Sequence, residues 1–337
     1  MSKCKNKLKK ALCIAGLTSI LINLGGSNRK DMTRDNIHDY YNVGYDAVNY
    51  LNSSNNQLLD FADNGFYNYT NTSIPFEADN SMIPQGIALY NDYILVSTYD
   101  YWNKEKSRIY VLDMNGNVVH VCKLEIIAHV GGIAYDPDHE LLWVSNTEGR
   151  VNAYRINNIL NCEKVYATYK ELNLGFDLIN YKDEPAVSYL AYNDNHLYVG
   201  NYTKSEDGTM KEYNITMDED ETIHLSLNNS YTVPSKVQGV TFYNSGENNY
   251  IIFSRSYGTC TTSLLQIYLF KGNEFRSNDA NAINYETPSM MEQVIVNGID
   301  LYSLYESNAF PYSLVTNSED DSIYVTDIVS LTKKINH

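Results

Sequence analysis

From Pro84 onward, hydrophobic and polar positions fall into one pattern that occurs five times. A small or polar residue precedes a short β-type run, a turn of Asn, Asp or Gly follows, and a second apolar run ends in polar residues. The five segments are "PQGIALYNDYILVSTYDY" from Pro84, "VGGIAYDPDHELLWVSNTEG" from Val130, "VSYLAYNDNHLYVGNYTK" from Val187, "VQGVTFYNSGENNYIIFSRSYG" from Val237 and "MEQVIVNGIDLYSLYESNA" from Met291. Two β-type runs joined by such a turn predict a β-hairpin. Aligning Gln85, Gly131, Ser188, Gln238 and Glu292 gives spacings of 46, 57, 50 and 54 residues. A period near 50 with room for two further strands, such as "SRIYVLDMNGNVVHVCKL" (Ser107–Leu124), predicts four-stranded propeller blades.

Five hairpins predict an all-β, five-bladed propeller of antiparallel blades. The last repeat supplies "MEQVIV", "LYSLYES" and "SIYVTDI" and is one strand short. A strand from the N-terminal side, within "NGFYNYTNTSIPF" (Asn64–Phe76), is expected to complete it and close the ring, which removes exposed sheet edges. Six blades are the alternative if residues 52–83 form a divergent blade. Apolar positions at partly helical spacing in Thr33–Leu51 suggest a helix outside the ring, and the surplus in 156–186 a loop on one face.

Residues 1–27 read differently. Five lysines precede the apolar run "ALCIAGLTSILINL" (Ala11–Leu24), which is short for a bilayer span and matches an export signal. The expected division is a signal at 1–27, a partly helical extension at 28–63 and the propeller at 64–337, with a secreted or extracellular, cell-surface-associated location. The chain carries 25 basic and 41 acidic residues, net −16. Seven of the basic ones lie in residues 1–30, which contain no acid, so the remainder sits near −23. Such a field disfavours nucleic acid, whose binding needs clustered Lys and Arg. It gives no reason to expect membrane contact beyond the signal. Cys122, Cys162 and Cys260 lack metal-ligand spacing; one disulfide, for instance Cys122 with Cys162, and three free thiols both fit.

Propeller geometry then gathers polar residues. The start of a blade's first strand and the end of its second lie on the same face of the disc. Strand starts bring Gln85, Gly131, Ser188, Gln238 and Glu292 to a central mouth, with His129 just upstream of Gly131. Strand ends bring Tyr99, Asp100, Asn146, Asn201, Tyr202, Arg255, Tyr257, Tyr305 and Glu306. The expected ligand-binding set is Gln85, Asp100, Asn146, Ser188, Asn201, Gln238, Arg255, Tyr257 and Tyr305. His129, Glu292 and Glu306 are the candidate acid–base residues, and Glu292 a candidate calcium ligand. By strand alternation Arg255 and Tyr257 share a side, and Arg255 is expected to face the mouth and meet Glu292, Glu306 or an anionic ligand. Plainer readings compete. The glutamines could tie neighbouring blades, His129 could be an inter-blade core residue, Arg255 could sit in a structural ion pair, and Asp100 could be solvated surface.

The blocks "QGIA", "HVGGIAYD", "VQGV" and "FSRSYG", with "YES" near the end, resemble a family of secreted bacterial propeller proteins across Pro84–Ser307. The resemblance implies a propeller with this polar rim but no established activity. Lactonase-like and quinoprotein-like propellers share the general blade pattern, yet their metal-ligand sets do not map onto this chain. No GxSxG, HExxH, P-loop, GxGxxG or paired CxxC is present. The expectation is a monomer that binds a small molecule, glycan or peptide at the mouth. A hydrolase or lyase using His129, Glu292, Glu306 and Arg255, and a cell-surface scaffold, are the alternatives.

Overall fold

The structure is a computed structural model. It describes residues 81–333, apart from 148, 163–168, 174–186, 247, 273–274, 276, 278–281, 311 and 317–321, together with two short N-terminal strands. The expected signal at 1–27 and the expected helix at Thr33–Leu51 lie outside the described residues.

Strands are numbered in chain order. The two N-terminal ones are β1 (Gln57–Leu58) and β2 (Tyr67–Asn68). Blade 1 comprises β3 (Met82–Tyr90), β4 (Tyr93–Asp100), β5 (Arg108–Asp113) and β6 (Val118–Lys123). Blade 2 comprises β7 (Ile133–Asp136), β8 (Leu141–Ser145), β9 (Arg150–Arg155) and β10 (Tyr169–Asn173), with α1 (Ile156–Asn161) after β9. In blade 3 the strands are β11 (Tyr189–Asn193), β12 (His196–Gly200), β13 (Gly208–Met217) and β14 (Ile223–Val233). Blade 4 holds β15 (Val237–Asn244), β16 (Asn249–Arg255), β17 (Ser263–Leu269) and β18 (Ile283–Thr287). Blade 5 holds β19 (Met291–Asn297), β20 (Asp300–Tyr305) and β21 (Tyr324–Asp327). The short helix α2 (Ile328–Thr332) ends the described chain, capped by the Asp327 carboxylate accepting from the amides of Val329 and Ser330.

The sheet orders are those of a five-bladed propeller, not a six-bladed one. β2 pairs antiparallel with β21, Tyr67 opposite Val325, so the fourth strand of blade 5 comes from within Asn64–Phe76 and closes the ring. β1 falls in the segment expected to be an extension, yet it pairs in parallel with β18 and adds a fifth strand to blade 4. Each blade buries both faces, one against each neighbour. In β16, Ile251 and Phe253 pack towards blade 3, whereas Tyr250 and Ile252 pack towards blade 5. This explains why these strands read as nearly unbroken apolar runs: alternation sorts their side chains between two dry interfaces. Five such clusters, one per blade junction, make the core. Cys122 and Cys162 belong to the same cluster but neither is in a disulfide, so the bridge suggested between them is not formed; Cys260 is disulfide-bonded, so the three free thiols are not found either.

Candidate functional site at the central mouth

The inner strands are not regular where they begin. β3 slips register between Pro84 and Gly86, β15 between Val237 and Gly239, and β19 between Met291 and Val294. The residues left out of the ladders are Gln85, Gln238, and Glu292 with Gln293. A bulge frees a residue from strand alternation and re-aims it. Three of the five aligned mouth positions are therefore bulge residues. Leading into the mouth, Val130 adopts a φ of 48°. A β-branched residue is rarely found there; its buried side chain and the Ser97 hydroxyl donating to its carbonyl at 2.8 Å hold it. The chain at His129 is therefore not extended, as simple alternation assumed.

One position further along each inner strand, Gly86, Gly132, Tyr189, Gly239 and Gln293 align. The glycines leave the axis narrow but unfilled, and the Gln293 carboxamide spans it. Its Oε1 accepts from the amides of Ile87 at 3.1 Å and Ile133 at 3.0 Å. Its Nε2 donates to the carbonyls of Ile133 at 2.7 Å and Leu190 at 3.2 Å. One side chain of blade 5 thus ties the innermost strands of blades 1, 2 and 3. A Cβ on Gly86 would stand 3.0 Å from Gln293 Oε1, and one on Gly239 2.6 Å from Gln293 Cα. Gln293 therefore bridges the innermost strands at this level, and the polar strand starts and ends on one side of it are termed the cup below.

At the blade 5–blade 1 side of the cup, three of the expected residues converge. Gln85 Nε2 donates to Glu306 Oε2 at 2.8 Å and to its neighbour's carbonyl, Pro84 O, at 2.8 Å. The Glu292 and Glu306 carboxyls are hydrogen-bonded to each other. Burial and the neighbouring Glu306 push Glu292 well above the usual carboxylate range. Burial also raises Glu306, to about 8, although hydrogen bonds from Gln85 and Glu292 oppose it. The sense of these effects makes Glu292 the proton donor and Glu306 the acceptor, and the two titrate as a pair. Among the described residues no cationic side chain contributes to either shift. Gln85 is 1% and Glu292 2% exposed, whereas Glu306 keeps a solvent-facing edge.

His129, just upstream of Gly131, has its ring centroid 4.2 Å from that of Tyr99. Burial lowers its pKa to about 4, so the imidazole is neutral at pH 7. Like Glu306, it retains accessible surface although loss of solvent alone moves its pKa far. Gln238 is half-buried in its bulge on the blade 4 side.

The remaining expected residues make contacts within and between the blades. Arg255 is buried, but its guanidinium turns back into blade 4. Nε donates to Ser235 O at 2.8 Å, Nη1 to Gln266 Oε1 at 3.0 Å, and Nη2 lies 3.5 Å from Ser235 Oγ. Gln266 belongs to the third strand, away from the axis, so these bonds do not join Arg255 to the carboxyl pair. Tyr257 lies beyond the end of β16 and does not obey the alternation that paired it with Arg255. Its ring is flanked by Lys204 Nζ at 5.2 Å and Lys236 Nζ at 5.4 Å.

Asp100 is buried, not solvated. Burial alone would raise its pKa, but amide donation from Lys104 at 2.7 Å and Glu105 at 3.0 Å helps to hold it below the ordinary value and shapes the loop. Asn146 accepts from the Thr147 amide at 2.7 Å and donates to Asn152 at 3.2 Å. Asn201 accepts from the Thr209 amide and Ser188 from the Tyr202 amide, each across a local turn. Tyr305 packs edge-on against Tyr324 in the blade 4–blade 5 core. Among the described residues no three His, Cys, Asp or Glu side chains come together where they could hold a metal. Glu292 meets one carboxyl partner, which is few oxygens for the calcium considered from the sequence. The residue that sequence reasoning passed over is Gln293. It sits next to the singled-out Glu292 and is the one long polar side chain in a column otherwise of three glycines and a tyrosine.

No family model matches the chain, and no curated protein matches it. Solved structures that are similar are WD40 propellers. The WD40 β-propeller domain of Doa1 is 13% identical with a TM-score of 0.35; the match covers 68% of this chain and 64% of that domain. The RRP9 WD40 repeats are 9% identical (TM-score 0.43, covering 78% and 97%), and the Neurospora crassa Pan2 WD40 domain 9% (TM-score 0.37, covering 77% and 93%).

Proposed function

We propose that this propeller is a binding module whose ligand, a small molecule or the end of a glycan or peptide, enters the cup from one face. The observation that carries this reading is the Gln293 carboxamide bridging the innermost strands, with the half-buried His129 and Glu306 near the starts and ends of those strands. A concave, largely pre-formed site with a few convergent polar groups is the usual form of a ligand site. Export, with the ligand met outside the cell, accords with the basic and apolar run of residues 1–27.

Hydrolysis is the second reading. Its support is that one mouth holds a carboxyl kept protonated and an imidazole kept neutral at pH 7, so environments have pushed two titratable groups apart. Glycosidase chemistry is a poor fit. Carboxyls hydrogen-bonded to each other stand closer than the about 5 Å or more that glycoside cleavage uses.

The test is thermal stabilisation of the folded chain by a panel of saccharides, short peptides, lactones and amines, repeated with Gln238→Trp, which places a large ring in the mouth. Stabilisation lost in that variant, with its own melting temperature kept, supports the cup. Stabilisation that survives the variant, or none with any compound, overturns it.

A further inference from the structure

This inference rests on the binding-cup reading and concerns the ligand's chemistry. The Glu292–Glu306–Gln85 cluster is rich in acceptors and poor in donors. Gln85 uses both hydrogens of its amide, on Pro84 O and on Glu306 Oε2, which fixes the orientation of the group. Its carbonyl oxygen, on a side chain 1% exposed, has no donor among the described residues. Glu306 accepts from Gln85 and Glu292 and has further lone pairs to offer. Two carboxyls and a carboxamide, drawn from β3, β19 and the residue after β20, thus lie together.

A neutral ligand would leave the carboxyls holding their protons. A hard metal ion would want about six to eight oxygens, and no third acid is at hand among the described residues. A primary alkylammonium group brings one positive charge and three N–H donors fanned from one atom. It matches acceptors from three chain segments better than a planar guanidinium fork does.

We propose that the cup recognises a primary alkylammonium group, held by Glu292, Glu306 and the Gln85 carbonyl. As it enters, a proton leaves the carboxyl pair for bulk water and the ammonium keeps its own three. The net charge of −16 favours the approach of such a cation.

The proton released gives the binding a pH signature. On the adjoining elements, His129 precedes blade 2, Tyr99 and Asp100 end β4, and Tyr305 ends β20. His129 is neutral above about pH 4, and Asp100 is held below the ordinary carboxylate value, so both titrate below the window of interest. Tyrosines ordinarily titrate near 10, above it.

The experiment is isothermal titration of the folded chain with n-butylammonium chloride and with Nα-acetyl-lysine N-methylamide between pH 6 and 9, using n-butanol as the neutral isostere. Binding of either amine is expected, with Kd falling up to tenfold per pH unit from 6 to 8 and levelling above. A tighter lysine derivative would assign the group to a peptide, and equal or tighter butylammonium to a free amine. Glu306→Gln should weaken binding at least tenfold at pH 8 and flatten the pH profile. Gln85→Leu should weaken it severalfold and leave the profile in place, with urea midpoints showing both variants folded. No binding of either amine at pH 8, equal binding of n-butanol, or an affinity indifferent to both pH and Glu306→Gln would overturn the proposal. A saccharide that binds, and is lost in Gln238→Trp, would overturn the amine while leaving the cup intact.

Discussion

Replacing Gln293 by Leu tests the bridge between the innermost strands. The substitution keeps the volume near the axis but removes a carboxamide that makes four hydrogen bonds to the innermost strands of three other blades. Two buried amides, of Ile87 and Ile133, and two carbonyls, of Ile133 and Leu190, would lose a partner. An unsatisfied buried polar group costs about 1–3 kcal/mol. Leaving those two amides without their acceptor should cost roughly 2–6 kcal/mol, with water entering the gap favouring the lower half. Urea unfolding followed by tyrosine fluorescence measures this. At about 2–4 °C per kcal/mol for a domain of this size, the melting temperature should fall by roughly 5–15 °C. Gln293→Asn, one methylene shorter, should lose nearly as much because its amide cannot reach across. A loss below about 1 kcal/mol in both variants would refute the assignment of Gln293 as the tie between blades.

Gly132→Ala should cost more than about 2 kcal/mol in the same assay. Its Cβ would meet Leu190 N at 2.4 Å and Tyr189 Cα at 2.6 Å, backbone that can yield only by prying blades 2 and 3 apart. Stability should also depend on pH in two windows. The carboxyl pair has a folded pKa raised above its unfolded value, so its contribution is complete below about pH 4.5 and is lost as pH rises towards 8. The slope is up to about 1.4 kcal/mol per unit per proton, and Glu306→Gln should flatten it. His129 has a lowered pKa, so its contribution is present above about 6.5 and lost as pH falls towards 4; His129→Gln should remove that part of the acid limb. Arg255→Lys cannot reproduce the bonds to both Ser235 and Gln266 and should cost about 1–3 kcal/mol. Because its guanidinium points into blade 4, the affinity of any ligand of the cup should be unchanged, and a tenfold loss of affinity would place Arg255 back at the mouth.

The architecture was legible because a propeller repeats itself. Five hairpins with aligned polar starts, and a last blade one strand short, define the ring and even the neighbourhood of its closing strand at Tyr67–Asn68. The convergence of Gln85, Glu292 and Glu306 also followed, since it needs only that strand starts and strand ends share a face. What sequence could not convey was direction at single residues. Bulges at Gln85, Gln238 and Glu292 break the alternation on which side-chain aim was argued. Arg255 has a stem long enough to fold back on Ser235 O whichever way its Cβ points. Polar residues at strand ends, such as Asp100, Asn146 and Asn201, serve the backbone of the turns beside them, because amides there must find acceptors. The signal for Gln293 is a polar residue in a mostly glycine column, standing beside the charge of Glu292.

The protonation of the carboxyl pair can be measured directly. With glutamate labelled at the side-chain carboxyl carbon, and Glu306→Gln and Glu292→Gln used for assignment, NMR titration should show Glu306 ionising near pH 8 and Glu292 ionising well above the usual carboxylate range. Both resonances titrating between about pH 4 and 5, as exposed glutamates do, would contradict it.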